Sequence, residues 1–231
     1  MAPERARRYP WSEGADCFVY PPIASRRSPG QPYPILCFLH GRGEAVAGES
    51  PDGVAAHGSP AWHAQTGSAL TASFLVVCPQ RRDIGRWDQA DAAKFHLLLD
   101  KIIADHNGRA DMIFLTGFSL GGDAVFWFAS YPRGERFQRL WAVDPALRSD
   151  TPIPPPGRPV LLHHGFAMRH LVSEFKEPAG LVDCPGRGAL TGDRLICDLG
   201  LEHVATCRVA YGERAPYDWL LSAADRAETK V

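Results

Sequence analysis

The sequence lacks the features that mark a membrane protein or a nucleic-acid-binding protein. No run approaches the roughly 20 apolar residues that span a bilayer. Basic residues (25) and acidic residues (26) nearly cancel to a net charge of −1, so no excess of positive charge favours a polyanionic partner. The basic start of the chain is followed by no apolar run, so we expect no secretory signal. We therefore expect a cytoplasmic protein with no nucleic-acid and no membrane partner.

Cysteine pairs at metal-binding spacing are also missing. The six cysteines are scattered, and no two form a Cys-x-x-Cys pair. Cys37 and Cys78 lie inside apolar runs, where a thiol behaves as a small hydrophobic side chain. Without a secretory signal we expect free thiols rather than a disulfide framework, and we expect no metal and no other cofactor.

What the sequence does contain is an alternation of short apolar runs and helical stretches. The runs, which predict strands, cover residues 34–40, 73–80, 111–119, 139–144, 159–165 and 193–200. Their continuous apolar character is typical of strands covered on both faces. Helices are predicted over residues 89–108, 120–132 and 217–228. The alternation predicts an α/β fold with a mostly parallel central sheet and helices on both faces, in a single domain over residues 1–231. We expect residues 1–15 to be poorly ordered.

Two connecting segments differ from the rest in composition. Residues 41–60 form a long glycine-rich segment after a predicted strand, and long loops of this kind are often functional. Residues 145–158 form a proline-rich connector that is too short to make a domain. We therefore expect no sizeable lid domain.

The stretch "TGFSLGG" contains the pattern Gly-x-Ser-x-Gly around Ser119. A nucleophilic serine on a tight strand-to-helix turn needs small residues two positions to either side, because the backbone there is strained and crowded. A predicted strand precedes Ser119 and a predicted helix follows it, which is the context the pattern requires. The sequence thus predicts a serine nucleophile at residue 119.

A serine nucleophile requires backbone N–H groups that stabilise the negative charge of the tetrahedral intermediate. One such group is predicted to be the amide of Leu120, directly after the serine. The other is predicted to come from "FLHGRGE", where Gly41 and Arg42 follow a strand end, and the amide of Arg42 is the donor. We interpret His40 in the same segment as a packed structural histidine.

Taken in order, "FLHGRGE", "HGSP", "VVCPQ" followed by "RW", "LTGFSLGG" and "YP" resemble the α/β-hydrolase superfamily. The ending "HVATCRVAYGERAPYDWLL" is similar to that of its phospholipase/carboxylesterase-like branch of small serine esterases. The resemblance covers about residues 33–222 and implies an α/β-hydrolase fold, with Ser119 as nucleophile and His203 as general base. His203 also lies after the last predicted strand, as the chain order serine, acid, histidine requires.

The acid of the expected catalytic triad is missing from its usual place. The resemblance places it in a pattern His-Gly-x-x-Asp, but here His164-Gly165 leads to Met168, which cannot usefully accept the imidazole N–H. Asp144 is the first substitute, since it ends the neighbouring predicted strand, a position the superfamily also uses; alternatively, it only caps the turn at Asp-Pro. Poorer candidates are Glu174, Asp198 and Glu202.

Three histidines near this point, His163, His164 and His170, raise the question of a metal site. His163 and His164 are consecutive on a predicted strand, so their side chains point to opposite faces and do not converge on one ion. We therefore predict no metal site.

Two hypotheses of function remain. The first is a serine hydrolase that cleaves a small or soluble carboxylic ester or thioester in an open site, with Trp62 and Trp87 lining the pocket, although packing explains both tryptophans equally well. The second, suggested by Met168, is an acyltransferase, a cyclase or a non-hydrolytic ligand-binding protein on the same fold. The sequence leaves the oligomeric state open.

Overall fold

The computed structural model describes residues 6–12, 15–23, 30–45, 53–186 and 190–222. Within these ranges one sheet contains strands β1 (Arg7–Ser12), β2 (Ala15–Tyr20), β3 (Tyr33–Leu39), β4 (Leu75–Pro79), β5 (Gly108–Phe118), β6 (Phe137–Val143), β7 (Val160–His164), β8 (Val182–Asp183) and β9 (Arg194–Asp198). The α-helices are α1 (Pro60–Gln65), α2 (Gln89–His106), α3 (Leu120–Ser130), α4 (Arg169–Lys176), α5 (His203–Gly212) and α6 (Arg214–Leu221).

The sheet is mostly parallel, and its strand order is β1-β2-β4-β3-β5-β6-β7-β9-β8. The pairs β1–β2 and β2–β4 are antiparallel, whereas every other pair is parallel. All six predicted strands are present within one or a few residues of their predicted limits. The predicted fold class, a mostly parallel sheet with helices on both faces, is confirmed.

Alternate residues of the central strands pack into two separate apolar layers. On β3, Cys37 and Leu39 belong to one buried cluster, while Leu36 and Phe38 belong to the other. Helices α2 and α3 contribute to the first cluster, and α5 and α6 contribute to the second. The continuous apolar runs of the sequence therefore reflect strands that are buried on both faces.

The expectation that residues 1–15 are poorly ordered is wrong for residues 7–12. They form β1, which pairs antiparallel with β2. Trp11 on β1 is buried against Trp87 and Phe95, and its indole donates a hydrogen bond to the Gln80 carbonyl over 2.6 Å. These contacts hold the strand to the sheet, while residues 1–5 lie outside the described ranges.

A disulfide joins Cys184 to Cys197, whose Cα atoms are 5.2 Å apart. The prediction of free thiols is therefore wrong for this pair, although Cys17, Cys37, Cys78 and Cys207 are free and buried. The reason is tertiary, because β8 pairs with β9 and Cys184 directly follows β8. Since disulfides are typical of oxidising compartments, the cysteines of this protein give no support to the expected cytoplasmic location.

The proline-rich connector packs onto α3 instead of forming a lid. Thr151 Oγ1 donates a hydrogen bond to Asp123 Oδ1 over 2.5 Å, and the Arg148 guanidinium lies 3.4 Å from the other oxygen of that carboxylate. No lid domain is present in the part of the chain that the structure describes. In the same ranges, no helix combines the length and apolar character needed to cross a membrane.

Candidate active site

Ser119 lies at the sharp turn between β5 and α3. Its backbone angles are φ 57° and ψ −116°, and it is the residue that precedes the first turn of α3. A positive φ is strained for any residue with a side chain, and such strain is concentrated at functional sites. The turn therefore has the conformation of a nucleophile elbow.

The glycines of the Gly-x-Ser-x-Gly pattern are required by close backbone contacts. A Cβ added at Gly117 would overlap the Gly121 carbonyl, and one added at Gly121 would overlap the carbonyls of Leu39 and His40. The turn therefore closes on itself and against the end of β3, and neither position has room for a side chain.

Backbone hydrogen bonds fix the turn in place. The Ser119 amide donates to the Val143 carbonyl over 3.0 Å, and the Ala146 amide donates to the Ser119 carbonyl over 2.9 Å. The end of β6 and the residues directly after it thus hold Ser119 in place. Leu120 begins α3, and an amide in the first turn of a helix has no acceptor within that helix, so this N–H suits the predicted oxyanion role.

The loop after β3 lies directly against Ser119. A Cβ added at Gly41 would be 3.1 Å from the Ser119 Cβ and 3.2 Å from a carboxylate oxygen of the buried Glu44. Arg42 begins a short 3-10 helix, Arg42–Glu44, with its own side chain exposed. The Gln80 side chain donates to the Glu44 carbonyl over 2.8 Å and holds this segment to the end of β4.

His40 is a buried structural residue that joins the two loops beside Ser119. Its Nδ1 donates to the Gly41 carbonyl over 2.6 Å, while its Nε2 accepts the Arg81 amide over 2.9 Å. These partners fix a neutral ring, because the Nε2 that accepts a backbone N–H carries no proton. Burial lowers the pKa of His40 to about 4, which agrees with that neutral state.

Asp144, the first substitute that the sequence offered for the acid, lies beside His203. The His203 Nδ1 donates to Asp144 Oδ2 over 2.5 Å, and the carboxylate is fully buried whereas the imidazole is 30% exposed. The Phe118 ring packs on the imidazole, with the ring centroids 4.5 Å apart. Charge-assisted hydrogen bonds are about twice as strong as neutral ones, so this contact orients the ring firmly.

Two hydrogen bonds hold Asp144 to the end of β7 and the residue that follows it. The Asp144 amide donates to the His163 carbonyl over 2.7 Å, and Asp144 Oδ1 accepts the Gly165 amide over 2.7 Å. A Cβ added at Gly165 would overlap the Leu201 carbonyl and the Thr206 hydroxyl. Gly165 therefore allows β7 to approach the segment that carries His203.

Met168, at the expected acid position, and Asp198, one of the other candidates, form no hydrogen bond or ion pair with His203 in the described part of the chain. Met168 precedes the first turn of α4 and packs against the core. The exposed Asp198 pairs with Arg169 over 2.7 Å, and its other oxygen lies 3.8 Å from His164 Nδ1. In the described ranges, Asp144 is the carboxylate that contacts the His203 ring.

His163, His164 and His170 have separate surroundings. His163 Nδ1 accepts the Trp141 indole N–H over 2.9 Å, whereas the His164 ring lies near Asp198. His170 is exposed on α4. Among the residues that the structure describes, no three potential ligands cluster around a common point.

The two predicted pocket tryptophans differ. Trp87 is only 4% exposed, and its indole donates to the His40 carbonyl over 3.1 Å, so the prediction that it lines the pocket is wrong because it packs beneath the loop. Trp62 is 43% exposed and lines a cavity of about 450 Å³ with His57, Gly58, His63 and Arg208. His57 and Arg208 were missed, because they are far apart in sequence. A larger cavity, of about 660 Å³, lies beside α6 and contains none of the predicted site residues.

Comparison with known proteins identifies solved structures of the same architecture. A thermostable esterase superposes with a TM-score of 0.66 at 17% identity over 94% of this chain, which spans only 62% of that protein's length. A fluorophosphonate-binding serine hydrolase of Staphylococcus aureus has a TM-score of 0.61 at 12% identity, covering 93% of this chain and 96% of its own. An esterase of Thermogutta terrifontis has a TM-score of 0.56 at 15% identity, with coverages of 97% and 92%.

No protein-family model and no curated protein matches the sequence. At 12–17% identity the structural likeness shows the fold. Together with the strand order and the strained turn at Ser119, it shows that this chain has the α/β-hydrolase fold.

Proposed function

We propose that this protein is a serine hydrolase that cleaves a carboxylic ester or thioester through an acyl-enzyme on Ser119. The observation that carries the proposal is the 2.5 Å hydrogen bond between His203 and the buried Asp144, which supports Asp144 as the acid in place of Met168. The esterases and the serine hydrolase of the same fold agree with this class of activity. The assignment to the carboxylesterase-like branch belongs to the proposal and rests on the sequence motifs.

The steps follow the general logic of a serine–histidine–acid triad. His203 takes the Ser119 proton as the hydroxyl oxygen attacks the acyl carbonyl, and Asp144 stabilises the imidazolium that forms. The amides of Arg42 and Leu120, with Gly41 leaving space beside the serine, hold the oxyanion. His203 then returns the proton to the departing alcohol or thiol, and water activated by the same histidine releases the acid.

The alternative of an acyltransferase, a cyclase or a ligand-binding protein was based on the missing acid. The hydrogen bond between Asp144 and His203 supports hydrolysis instead, because a general-base histidine needs a carboxylate to orient it. No observation favours the alternative over hydrolysis.

We expect a preference for short, soluble substrates, because the connector after β6 packs onto α3 and no lid covers the turn at Ser119 in the part of the chain that the structure describes. The test is hydrolysis of 4-nitrophenyl esters of increasing acyl length by the wild-type protein and by Ser119→Ala. We expect kcat/KM to fall as the chain lengthens, and Ser119→Ala to lose about 10⁴-fold or more. Equal rates in the two proteins would reject Ser119 as nucleophile, and a preference for long chains would reject the open site.

A further inference from the structure

A cavity beside α1 is lined by residues that have no role in the proposed catalytic steps. Its wall consists of His57, Gly58, Trp62, His63 and Arg208, and its volume of about 450 Å³ suits a small organic group. The exposed indole of Trp62 meets the His63 ring edge-to-face, with the centroids 4.9 Å apart. The cavity therefore offers an aromatic surface beside a cationic side chain.

A chain of ring contacts connects the cavity to the His203 side of the nucleophile. The His57 ring centroid is 6.5 Å from that of Phe118, and Phe118 in turn packs on His203. Arg208 lies on α5, the helix that His203 begins. In the proposed reaction His203 protonates the departing alcohol, so the alcohol part of the ester lies on the histidine side of Ser119.

Arg208 provides a positive charge in this cavity that no described residue pairs with. Its side chain is exposed and forms no hydrogen bond or ion pair with any residue in the described ranges, and no carboxylate lines the cavity wall there. His63 is only 8% exposed, neither ring nitrogen has a hydrogen-bond partner, and burial lowers its pKa. His63 is thus a neutral wall, and Arg208 carries the charge.

The backbone is shaped to hold Arg208 at the cavity. Gly58 has φ +71°, and a Cβ there would lie 3.4 Å from the Arg208 Cγ and 3.5 Å from its Cα. His57, the residue before it, also has a positive φ of 56°, which is strained for a histidine. Two successive left-handed residues thus bring the loop against the Arg208 stem, and such strain is often found at binding sites.

We propose that this cavity binds the alcohol part of an ester that bears a carboxylate on an aromatic ring. Trp62 stacks on the ring, and Arg208 binds the carboxylate, whose geometry matches the planar guanidinium. The inference rests on the proposed function, and it names the substrate class for the same nucleophile: Ser119 keeps the acyl group, and the anionic alcohol leaves with the proton from His203.

The test compares the release of acetate from two esters that differ in charge and in one methyl group, 4-acetoxybenzoate and its neutral methyl ester. The measured quantity is the ratio of kcat/KM for the anionic ester to kcat/KM for the neutral one. We expect Arg208→Leu to lower this ratio about tenfold, because the variant loses a charge-assisted hydrogen bond to the carboxylate. Arg208→Lys, which keeps the charge but loses the planar fork, is expected to recover part of the ratio.

Arg109→Leu is the matched control, because it removes one positive charge at the start of β5, the end of that strand opposite Ser119. We expect the wild-type ratio in this variant. An unchanged ratio in Arg208→Leu, or an equal fall in Arg109→Leu, would overturn the inference. A third substrate, mono-4-nitrophenyl succinate, places the anion on the acyl part; a selective loss on this ester in Arg208→Leu would overturn the assignment to the alcohol.

Labelling by a fluorophosphonate separates this inference from the proposed function. A wild-type protein that is labelled at Ser119 and hydrolyses both esters, with no dependence on Arg208, would leave the hydrolase standing and reject the cavity as a carboxylate site. A wild-type protein with neither labelling nor turnover would reject the hydrolase and the inference together.

Discussion

At the scale of single residues, Asp144 is the side chain that completes the proposed triad. Its two carboxylate oxygens have separate partners, the His203 ring and the Gly165 amide. One oxygen is therefore held by the protein backbone while the other orients the imidazole, so the acid is fixed before a substrate binds.

Replacing Asp144 with asparagine is expected to lower kcat by about 10³–10⁴-fold, because the amide no longer stabilises the imidazolium and favours the wrong tautomer. The measurement is hydrolysis of 4-nitrophenyl acetate, with circular dichroism to check the fold. Asp198→Asn is the control, since Asp198 is exposed and pairs with Arg169, and we expect its activity to stay within about twofold. A similar loss in both variants would contradict the assignment of Asp144.

The sequence suggested Ser119 as nucleophile and His203 as base because both belong to patterns that are local in the chain, and both roles stay predictions. It could only name Asp144 as one of several acids, since the decisive contacts come from β6, β7 and α5, which meet only in the folded molecule. Trp87 was misplaced for a related reason: its burial depends on Trp11 and His40, which are distant in sequence.

At the scale of structural elements, the turn between β5 and α3 determines both the packing of α3 against β3 and the position of Ser119. Its glycines allow α3 to approach β3 so closely that Gly121 contacts the Leu39 and His40 carbonyls. The same approach brings Gly41 against Ser119. The packing of one helix thus brings together Ser119 and the loop after β3, the proposed nucleophile and the proposed oxyanion loop.

Gly121→Ala is expected to lower the free energy of unfolding by at least about 3 kcal/mol, because the added methyl group overlaps backbone atoms that have little freedom to move. Urea denaturation monitored by tryptophan fluorescence measures the change. Gly212→Ala at the end of α5 is the matched control: nothing lies within 4 Å of the added Cβ, and we expect a change of no more than about 1 kcal/mol. Equal stabilities of the two variants would contradict the close approach of α3 to β3.

The strands and helices with a clear pattern of apolar residues were predicted from the sequence, whereas β1 and α5, which have weak patterns, were not. Six strands were found because they are continuous apolar runs, whereas β1 contains charged residues and a proline that conceal its pairing with β2. Helix α5 was missed because its sequence, HVATCRVAYG, has small and β-branched residues in place of the long apolar side chains of α2.

At the scale of the whole molecule, stability depends on buried groups that remain neutral. His40 is the clearest case, since its buried ring keeps a pKa of about 4 while it joins the loops after β3 and β4. In the unfolded chain the pKa of a histidine is about 6.5. At pH values between these two pKa values, His40 is protonated in the unfolded chain but neutral in the folded protein. The free energy of unfolding therefore falls as the pH decreases from about 6.5 to about 4.

From this linkage we expect His40 to account for about 2 kcal/mol of the stability lost between pH 7 and pH 5. The measurement is urea unfolding at both pH values for the wild-type protein and for His40→Gln, in which that part of the loss disappears. Other titrating groups, such as His96, remain in both proteins and cancel in the comparison. Parallel losses of stability in the two proteins would show that His40 is not held neutral.

The disulfide and the cavity also belong to this largest scale, and neither was visible in the sequence. The pairing of Cys184 with Cys197 depends on the position of β8 beside β9, and the cavity joins residues 57–63 to Arg208 across the fold. Patterns within a short window carry no information about such contacts.

The most direct test of the proposed catalysis is to trap the acyl-enzyme. Wild-type protein and Ser119→Ala are mixed with 4-nitrophenyl acetate, quenched with acid within the first turnover and examined by intact-mass and peptide mass spectrometry. We predict that the wild-type protein gains one acetyl group on the peptide that contains Ser119, and that the variant gains none. An acetyl group on another residue, or equal acetylation of the variant, would contradict the assignment of Ser119 as nucleophile.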